Sequence, residues 1–123
     1  MTPGSALLCL ALTVYFEARG EVDYGQQMVA QVVVNRSRIN ETSVCKQVFK
    51  EGQFSWTRKK WKIPKPGPDW DRCYQNASVV LRQQKTGTDY YFKSKKSTVH
   101  WDSRRFRKTK VIGNHIFYSS IPK

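Results

Sequence analysis

An almost unbroken apolar segment near the N-terminus constrains this chain more than any other feature. Residues 6–16 contain only one strongly polar side chain, Thr13, and Glu17 follows directly. The segment is too short to span a bilayer, which requires about 20 apolar residues, and no small-residue signal-peptide cleavage site follows it. We therefore expect a buried central helix over residues 5–19, with Ser5 as its N-cap and Gly20 as its end.

Capping residues and hydrophobic periodicity predict the next elements. Asp23 can cap a second helix that runs to about Ile39. Ser43 can cap a short third helix that ends before Gly52. We expect residues 53–56 to be extended and to enter the middle of the fold.

The second half of the chain combines one helix with strands. Residues 57–69 are rich in Lys, Pro and Gly and predict a loop. Asp69 is expected to cap a fourth helix that ends at Gly87. Residues 90–92 and 111–118 are rich in aromatic and β-branched residues, which is typical of strands. The sequence predicts an α+β fold that is mostly helical, with a small antiparallel sheet towards the C-terminus.

The chain of 123 residues carries a net charge of +13, from 22 Lys and Arg against 9 Asp and Glu. Its length suits one domain over residues 1–123. The basic residues are concentrated in the second half, above all between Lys93 and Lys110. Such a surface attracts polyanions, either nucleic acid, an anionic membrane or a cell wall with anionic polymers, although it can also be a plain solvated surface.

The three cysteines, Cys9, Cys45 and Cys73, do not have the spacing of a zinc site. We expect Cys9 to pack as a small hydrophobic residue. Cys45 and Cys73 could form a pair, with reduced thiols as the default. We expect no metal and no other cofactor.

Glu17 is the strongest candidate for a catalytic acid. It lies at the end of the most apolar helix, where lost hydration disfavours the charged carboxylate and raises its pKa. The negative end of the helix dipole acts in the same direction. A general acid needs such a raised pKa in order to hold its proton near neutral pH. The structural alternative is an ion pair with Arg19, Arg36 or another cation.

Glu21 is the possible second carboxylate, which ordinary glycosidases require. Gly20 interrupts the helix that would bring Glu21 onto the face of Glu17, so a structural role for Glu21 is favoured. His115 lies in the apolar segment 112–118. It is either a hydrogen-bonded core residue or part of a cleft.

Aromatic and polar residues suited to sugar binding occur from Gln53 onwards. Trp and Tyr rings stack on the C–H faces of sugars, and amides and hydroxyls bind the sugar hydroxyls. The candidates for substrate binding are Gln53, Phe54, Ser55, Trp56, Tyr90, Tyr91, Trp101, Asn114 and His115. The same residue types also bind nucleobases or fill hydrophobic cores.

Several ordered motifs resemble the SleB-like cell-wall hydrolases, a family named for a spore cortex-lytic enzyme. Residues 15–21 read Tyr-Phe-Glu-Ala-Arg-Gly-Glu, and residues 33–36 read Val-Val-Asn-Arg. The similarity continues through Gln-Phe-Ser-Trp at 53–56, the Tyr90–Tyr91 pair with Trp101, and Ile-Gly-Asn-His-Ile-Phe-Tyr at 112–118. Many members have a His where this chain has Phe92, and a Pro shortly before the Trp where this chain has Val99 and His100.

The resemblance implies a lysozyme-like or transglycosylase-like fold. It also implies cleavage of the β-1,4 bond between N-acetylmuramic acid (MurNAc) and N-acetylglucosamine (GlcNAc), with Glu17 as the acid and residues 53–55 in the cleft. We expect a monomeric lytic transglycosylase that binds peptidoglycan strands, and the anionic cell envelope through its basic surface. As in small phage endolysins, it would be made in the cytoplasm of an infected bacterium and act on the wall.

Three alternatives remain for the function. A hydrolytic muramidase would use water and recruit Glu21. An amidase would cut the bond between sugar and peptide, normally with a metal. A basic module that binds nucleic acid would explain the charge, but it gives no reason for a carboxyl group in an apolar wall. We expect no stable nucleic-acid partner.

Overall fold

The computed structural model describes residues 5–98 and 101–120 and has the predicted α+β architecture. Its helices are α1 (Ala6–Ala18), α2 (Asp23–Ile39), α3 (Val44–Val48), a 3-10 helix (Ser55–Arg58) and α4 (Pro68–Gln83). Its strands are β1 (Tyr91–Ser94), β2 (Lys108–Ile112) and β3 (His115–Tyr118), which form an antiparallel sheet in the order β1-β3-β2. Val99 and His100 lie outside the described residues. None of the described helices has the length and apolar character needed to cross a membrane.

The apolar segment forms α1 and occupies the centre of the fold, as expected. Ser5 caps the helix by accepting the N–H of Leu8 at 3.3 Å, and residues 9–14 are completely buried. The helix packs against α2, α3 and α4. A helix with no polar face is stable only when it is enclosed. Because α1 is central, Glu17 in the last turn of this helix lies at the edge of the core.

The N-termini of α2 and α4 differ from the prediction. Asp23 is the first residue of α2 and not its cap, because its carboxylate forms an ion pair with Arg72 of α4. Asp69 likewise lies inside α4, whose first position is occupied by Pro68. Proline suits this position because its missing N–H would have no helical partner there.

Two further boundaries were predicted wrongly. Helix α4 ends at Gln83, where Gln84 takes a left-handed conformation with φ of 52°, and it does not continue to Gly87. Residues 53–56 are not extended throughout. Phe54 is extended, but a 3-10 helix begins at Ser55.

The predicted strand over residues 111–118 is in fact part of a hairpin. Ile112 of β2 pairs with His115 of β3, and Gly113 and Asn114 form the turn between them. Gly113 has φ of +55°, in the left-handed region that favours glycine and is typical of two-residue hairpin turns. The turn places Asn114 and His115 at one end of the sheet.

The cysteine pairing was also predicted wrongly. A disulfide joins Cys9 of α1 to Cys45 of α3, whose Cα atoms lie 5.4 Å apart. Cys73 is buried in α4 as a free thiol, and burial raises its pKa to about 11. The two bonded cysteines are 36 positions apart in sequence. They meet because α1 and α3 pack together, and their spacing alone gave no sign of it.

Candidate active site

A cleft of about 240 Å³ opens where the end of α1 meets α2 and β1. Its wall combines one carboxyl group, one guanidinium, one amide and several aromatic rings. The lining residues are Glu17, Val32, Arg36, Gly52, Gln53, Phe54, Tyr90, Tyr91, Phe92 and Trp101. Among the described residues that line the cleft, Glu17 is the one carboxylate.

Glu17 has the environment that the sequence predicted. The residue is half-buried, and burial raises the pKa of its carboxyl group. Within residues 5–98 and 101–120, its carboxylate takes part in no ion pair. Arg19 donates to the Tyr15 hydroxyl at 2.6 Å, and Arg36 donates to the Tyr90 carbonyl at 3.0 Å. The structural alternative, an ion pair with either arginine, is therefore not what the structure has.

Glu21 lies outside the cleft lining and is bound to the hairpin turn. Its side chain is 7% exposed. Oε1 accepts the backbone N–H of Asn114 at 2.7 Å, and Oε2 accepts the side-chain amide of Asn114 at 3.1 Å. Burial alone would raise its pKa, but the hydrogen bonds from Asn114 and the interaction with His115 outweigh burial and lower it. Glu21 is therefore an anion that joins the α1–α2 turn to the β2–β3 turn.

His115 lies beside the same carboxylate, behind the cleft wall. Its Nδ1 is 3.6 Å from Oε1 of Glu21, too far for a normal hydrogen bond. Its ring meets the edge of Phe92, with the ring centroids 5.3 Å apart. Burial lowers the pKa of His115, against the opposing effects of Glu21 and the backbone of Glu17. The imidazole is thus mostly neutral at neutral pH, and it lies beside the Glu21 carboxylate and against the Phe92 ring.

Five of the expected substrate-binding residues line the cleft together, namely Gln53, Phe54, Tyr90, Tyr91 and Trp101. The ring of Tyr91 packs edge-on against Trp101 with centroids 5.8 Å apart. Both rings are only half-buried. These aromatic surfaces remain available to a ligand on the side that faces Glu17.

The other four expected substrate-binding residues do not line the cleft. Ser55 is exposed at the start of the 3-10 helix. Asn114 is hydrogen-bonded to Glu21, and His115 lies beside the Glu21 carboxylate. Trp56, a candidate for stacking on a sugar, is a core residue instead. Its side chain is 7% exposed, belongs to the main core, and stacks on Phe16 with centroids 4.8 Å apart.

Arg36 and Val32 are cleft residues that the sequence did not assign to the site. Arg36 was considered only as an ion-pair partner of Glu17. Val32 and Arg36 are four positions apart on α2 and so share one helix face, but this spacing does not indicate that the face meets the cleft. Phe92, noted only as a departure from the family pattern, lines the cleft as well.

No group of three or more His, Cys, Asp or Glu side chains in the described part of the chain could hold a metal ion. The lining of the cleft offers one carboxyl group with a raised pKa, a guanidinium, an amide and aromatic walls.

The fold and the cleft define an α+β domain with a single acid at the end of its central helix. Residues 20–118 match the model of the Cell Wall Hydrolase family, and the chain belongs to this family of SleB-like hydrolases. As a member, it is an enzyme that degrades peptidoglycan. The matched segment begins after Glu17, so the family match does not itself assign a role to that residue. Neither a curated protein nor a solved structure matches the chain.

Proposed function

We propose that this cell wall hydrolase cleaves the β-1,4 bond between MurNAc and GlcNAc as a lytic transglycosylase, with Glu17 as its catalytic acid and base. The observation that carries the proposal is the position of Glu17. It is a carboxyl group without an ionic partner in the described structure, with a pKa raised by burial, in the wall of an aromatic cleft. An acid in such surroundings holds its proton until a basic oxygen of the substrate arrives.

The reaction requires one proton transfer to the glycosidic oxygen and one proton transfer from the MurNAc 6-hydroxyl. Glu17 donates its proton to the glycosidic oxygen, and the bond from that oxygen to C1 of MurNAc breaks. The Glu17 carboxylate then removes the proton of the MurNAc 6-hydroxyl, whose oxygen attacks C1 and closes a 1,6-anhydro ring. Glu17 ends the cycle protonated, as it began.

The attachment of Glu21 to the hairpin favours this mechanism over hydrolysis. A glycosidase that uses water normally needs a second carboxylate near the first. Glu21 already accepts two hydrogen bonds from Asn114, and its pKa is lowered. A transglycosylase needs no second carboxylate, because the substrate supplies the nucleophile.

The cleft wall supplies the groups that hold the sugars. In this proposal Tyr90, Tyr91, Trp101 and Phe54 pack against sugar faces, and Gln53 binds hydroxyl or acetamido groups. Ser55 would contact the strand at the entrance. Asn114 acts indirectly, because it holds Glu21 and the turn that follows Glu17. His115 packs against Phe92 of the cleft wall. Trp56 supports the cleft from the core.

The basic surface is assigned to the anionic cell envelope. The segment from Lys93 to Lys110 carries eight Lys and Arg side chains, and most of its described residues are exposed. Such a field concentrates a cationic enzyme on an anionic wall. We propose a monomeric, bacteriolytic, endolysin-like enzyme that acts on the wall in this way.

Mass spectrometry of the fragments released from purified peptidoglycan tests the reaction. We expect 1,6-anhydro-MurNAc ends. Reducing MurNAc ends would instead identify a muramidase, and free stem peptides would identify an amidase. Steeply salt-dependent binding to DNA, with no release of wall fragments, would support the nucleic-acid alternative and contradict the proposal.

A further inference from the structure

Arg36 is a buried cation in the cleft wall that has no carboxylate partner in the described structure. Its side chain is 8% exposed. Nη1 donates to the Tyr90 carbonyl at 3.0 Å, and the guanidinium lies over the Tyr91 ring, 4.6 Å from its centroid. Nε is buried without a hydrogen-bond partner. The Tyr90 carbonyl and the Tyr91 ring are neutral partners, and Arg36 takes part in no ion pair within residues 5–98 and 101–120.

A buried charge is costly unless an opposite charge and hydrogen bonds compensate it. A buried arginine with a purely structural role would normally form an ion pair with a carboxylate, as Lys110 does with Asp89 at 3.3 Å. Glu17 is the one carboxyl group that lines the same cleft. It forms no ion pair with Arg36 in the described structure, and burial raises its pKa, which disfavours the charged form. The missing counter-charge is therefore expected to come from the ligand.

We propose that Arg36 binds a carboxylate of the substrate, and specifically the lactyl carboxylate of a muramoyl residue from which the stem peptide has been removed. The inference rests on the proposed function. In a glycan strand GlcNAc is neutral, so carboxylates occur only on the muramoyl side, as the lactyl group or within the stem. A guanidinium binds a carboxylate through paired hydrogen bonds.

The shared position of Arg36 and Glu17 favours the lactyl group over the stem. Both residues line the same cleft, and the lactyl group is attached directly to the MurNAc ring whose glycosidic oxygen Glu17 would protonate. The carboxylates of the stem peptide lie farther from the ring. The enzyme would then prefer strands that another enzyme, one that cuts the bond between sugar and peptide, has already stripped.

Calorimetry with short GlcNAc–MurNAc oligosaccharides tests this assignment, in the Glu17→Gln background so that the ligand is not consumed. Three ligands are compared: stem-free with the lactyl carboxylate, stem-free with that group reduced to an alcohol, and stem-bearing. We expect the carboxylate form to bind about tenfold or more tightly than the alcohol, as one charge-assisted pair allows. We also expect it to bind more tightly than the stem-bearing form.

Arg36→Met should abolish the preference for the carboxylate and leave binding of the alcohol form nearly unchanged. General damage to the fold would weaken binding of both forms and would not give this selective effect. Arg38→Met is the matched control, since Arg38 is exposed on the same helix, and it should keep the preference. If Arg36→Met shows no cooperative thermal transition, Arg36→Lys replaces it, with a reduced preference expected.

Equal binding of the carboxylate and alcohol forms, or an unchanged preference in the Arg36 variants, would overturn the proposal. Tightest binding of the stem-bearing form would overturn the lactyl assignment and move the carboxylate to the stem. Cleavage of sacculi by the wild type separates the two claims. A carboxylate preference without glycan cleavage contradicts the proposed function alone, and cleavage without that preference contradicts the Arg36 assignment alone.

Discussion

Asn114 donates both its backbone N–H and its side-chain amide to the carboxylate of Glu21, at 2.7 and 3.1 Å. This pair connects the turn after α1 to the tip of the β2–β3 hairpin across 93 positions of sequence. The turn after α1 directly follows the helix end that carries Glu17. The hairpin therefore helps to fix the position of the proposed acid.

Glu21→Ala should destabilise the fold, because it removes both hydrogen bonds that connect Asn114 to the turn after α1. Hydrogen bonds to a charged group contribute about 1.5–3 kcal/mol each. Because Asn114 is exposed and water can replace part of these two bonds, we expect a total loss of about 2–3 kcal/mol in the free energy of unfolding. Urea denaturation measures this loss. Glu41→Ala, at an exposed carboxylate, is the control, and equal stability of the two variants would contradict the role given to Glu21.

The same pair has a defined pH dependence. Because the folded protein lowers the pKa of Glu21, this stabilisation is complete above the usual value of 4.5 and is lost as the pH falls through the lowered pKa. The wild type should therefore lose stability in acid more steeply than Glu21→Ala does. Parallel curves of melting temperature against pH would show that the carboxylate is not responsible.

Gly113→Ala should disrupt this junction. Gly113 has φ of +55°, and a Cβ atom there would lie 2.3 Å from Oε1 of Glu21. Backbone strain of this kind costs about 1–3 kcal/mol, and displacement of Glu21 adds to it. We expect a lower melting temperature and slower wall lysis. Gly20→Ala, where a Cβ meets nothing within 4 Å, should be nearly neutral.

Much of the helical half could be predicted from the sequence, and the hairpin could not. The apolar run that became α1 allows only a buried helix, so its place and the raised pKa of Glu17 followed from local information. The role of Glu21 depends on Asn114, which is brought to it by the turn at Gly113. The Gly-Asn pair is a recognised hairpin signal, but the apolar residues on both sides made one continuous strand look equally good.

The Cys9–Cys45 disulfide and the position of Arg36 could not be predicted from the sequence for the same reason. Cys9 meets Cys45 only because α1 and α3 pack together. Arg36 lies in the cleft because residues 90 and 91 cross over α2, as the contacts of Arg36 with Tyr90 and Tyr91 show. Local periodicity describes one element at a time, so it indicates neither the Cys9–Cys45 contact nor the position of Arg36 in the cleft.

Reduction of the Cys9–Cys45 disulfide should destabilise the protein without unfolding it at room temperature. Closing a loop over a separation of 36 residues restricts the unfolded chain and contributes about 4 kcal/mol on the chain-entropy estimate. Urea denaturation with and without reductant measures this loss. Cys73→Ala should leave the effect of reductant intact, and a reductant effect that disappears in that variant would contradict the Cys9–Cys45 pairing.

The activity should fall as the pH rises through the raised pKa of Glu17, because the reaction begins from the protonated acid. The contribution of Glu17 to stability also falls as the pH rises. A carboxyl group whose folded pKa lies above its usual 4.5 loses stability once the pH exceeds that value. Glu17→Gln should therefore be at least as stable as the wild type in alkaline buffer. Lysis rates that increase with pH would contradict this assignment.

The most direct test of the account is the release of 1,6-anhydro-MurNAc ends from purified sacculi by the wild type, Glu17→Gln and Glu41→Gln, each with its melting temperature recorded. The two substitutions make the same chemical change, and Glu41 is exposed beyond the end of α2. Loss of the acid should slow release by about a hundredfold or more in a variant that still melts cooperatively, while Glu41→Gln keeps the wild-type rate. Release by Glu17→Gln at the wild-type rate would contradict the claim that Glu17 is the catalytic acid.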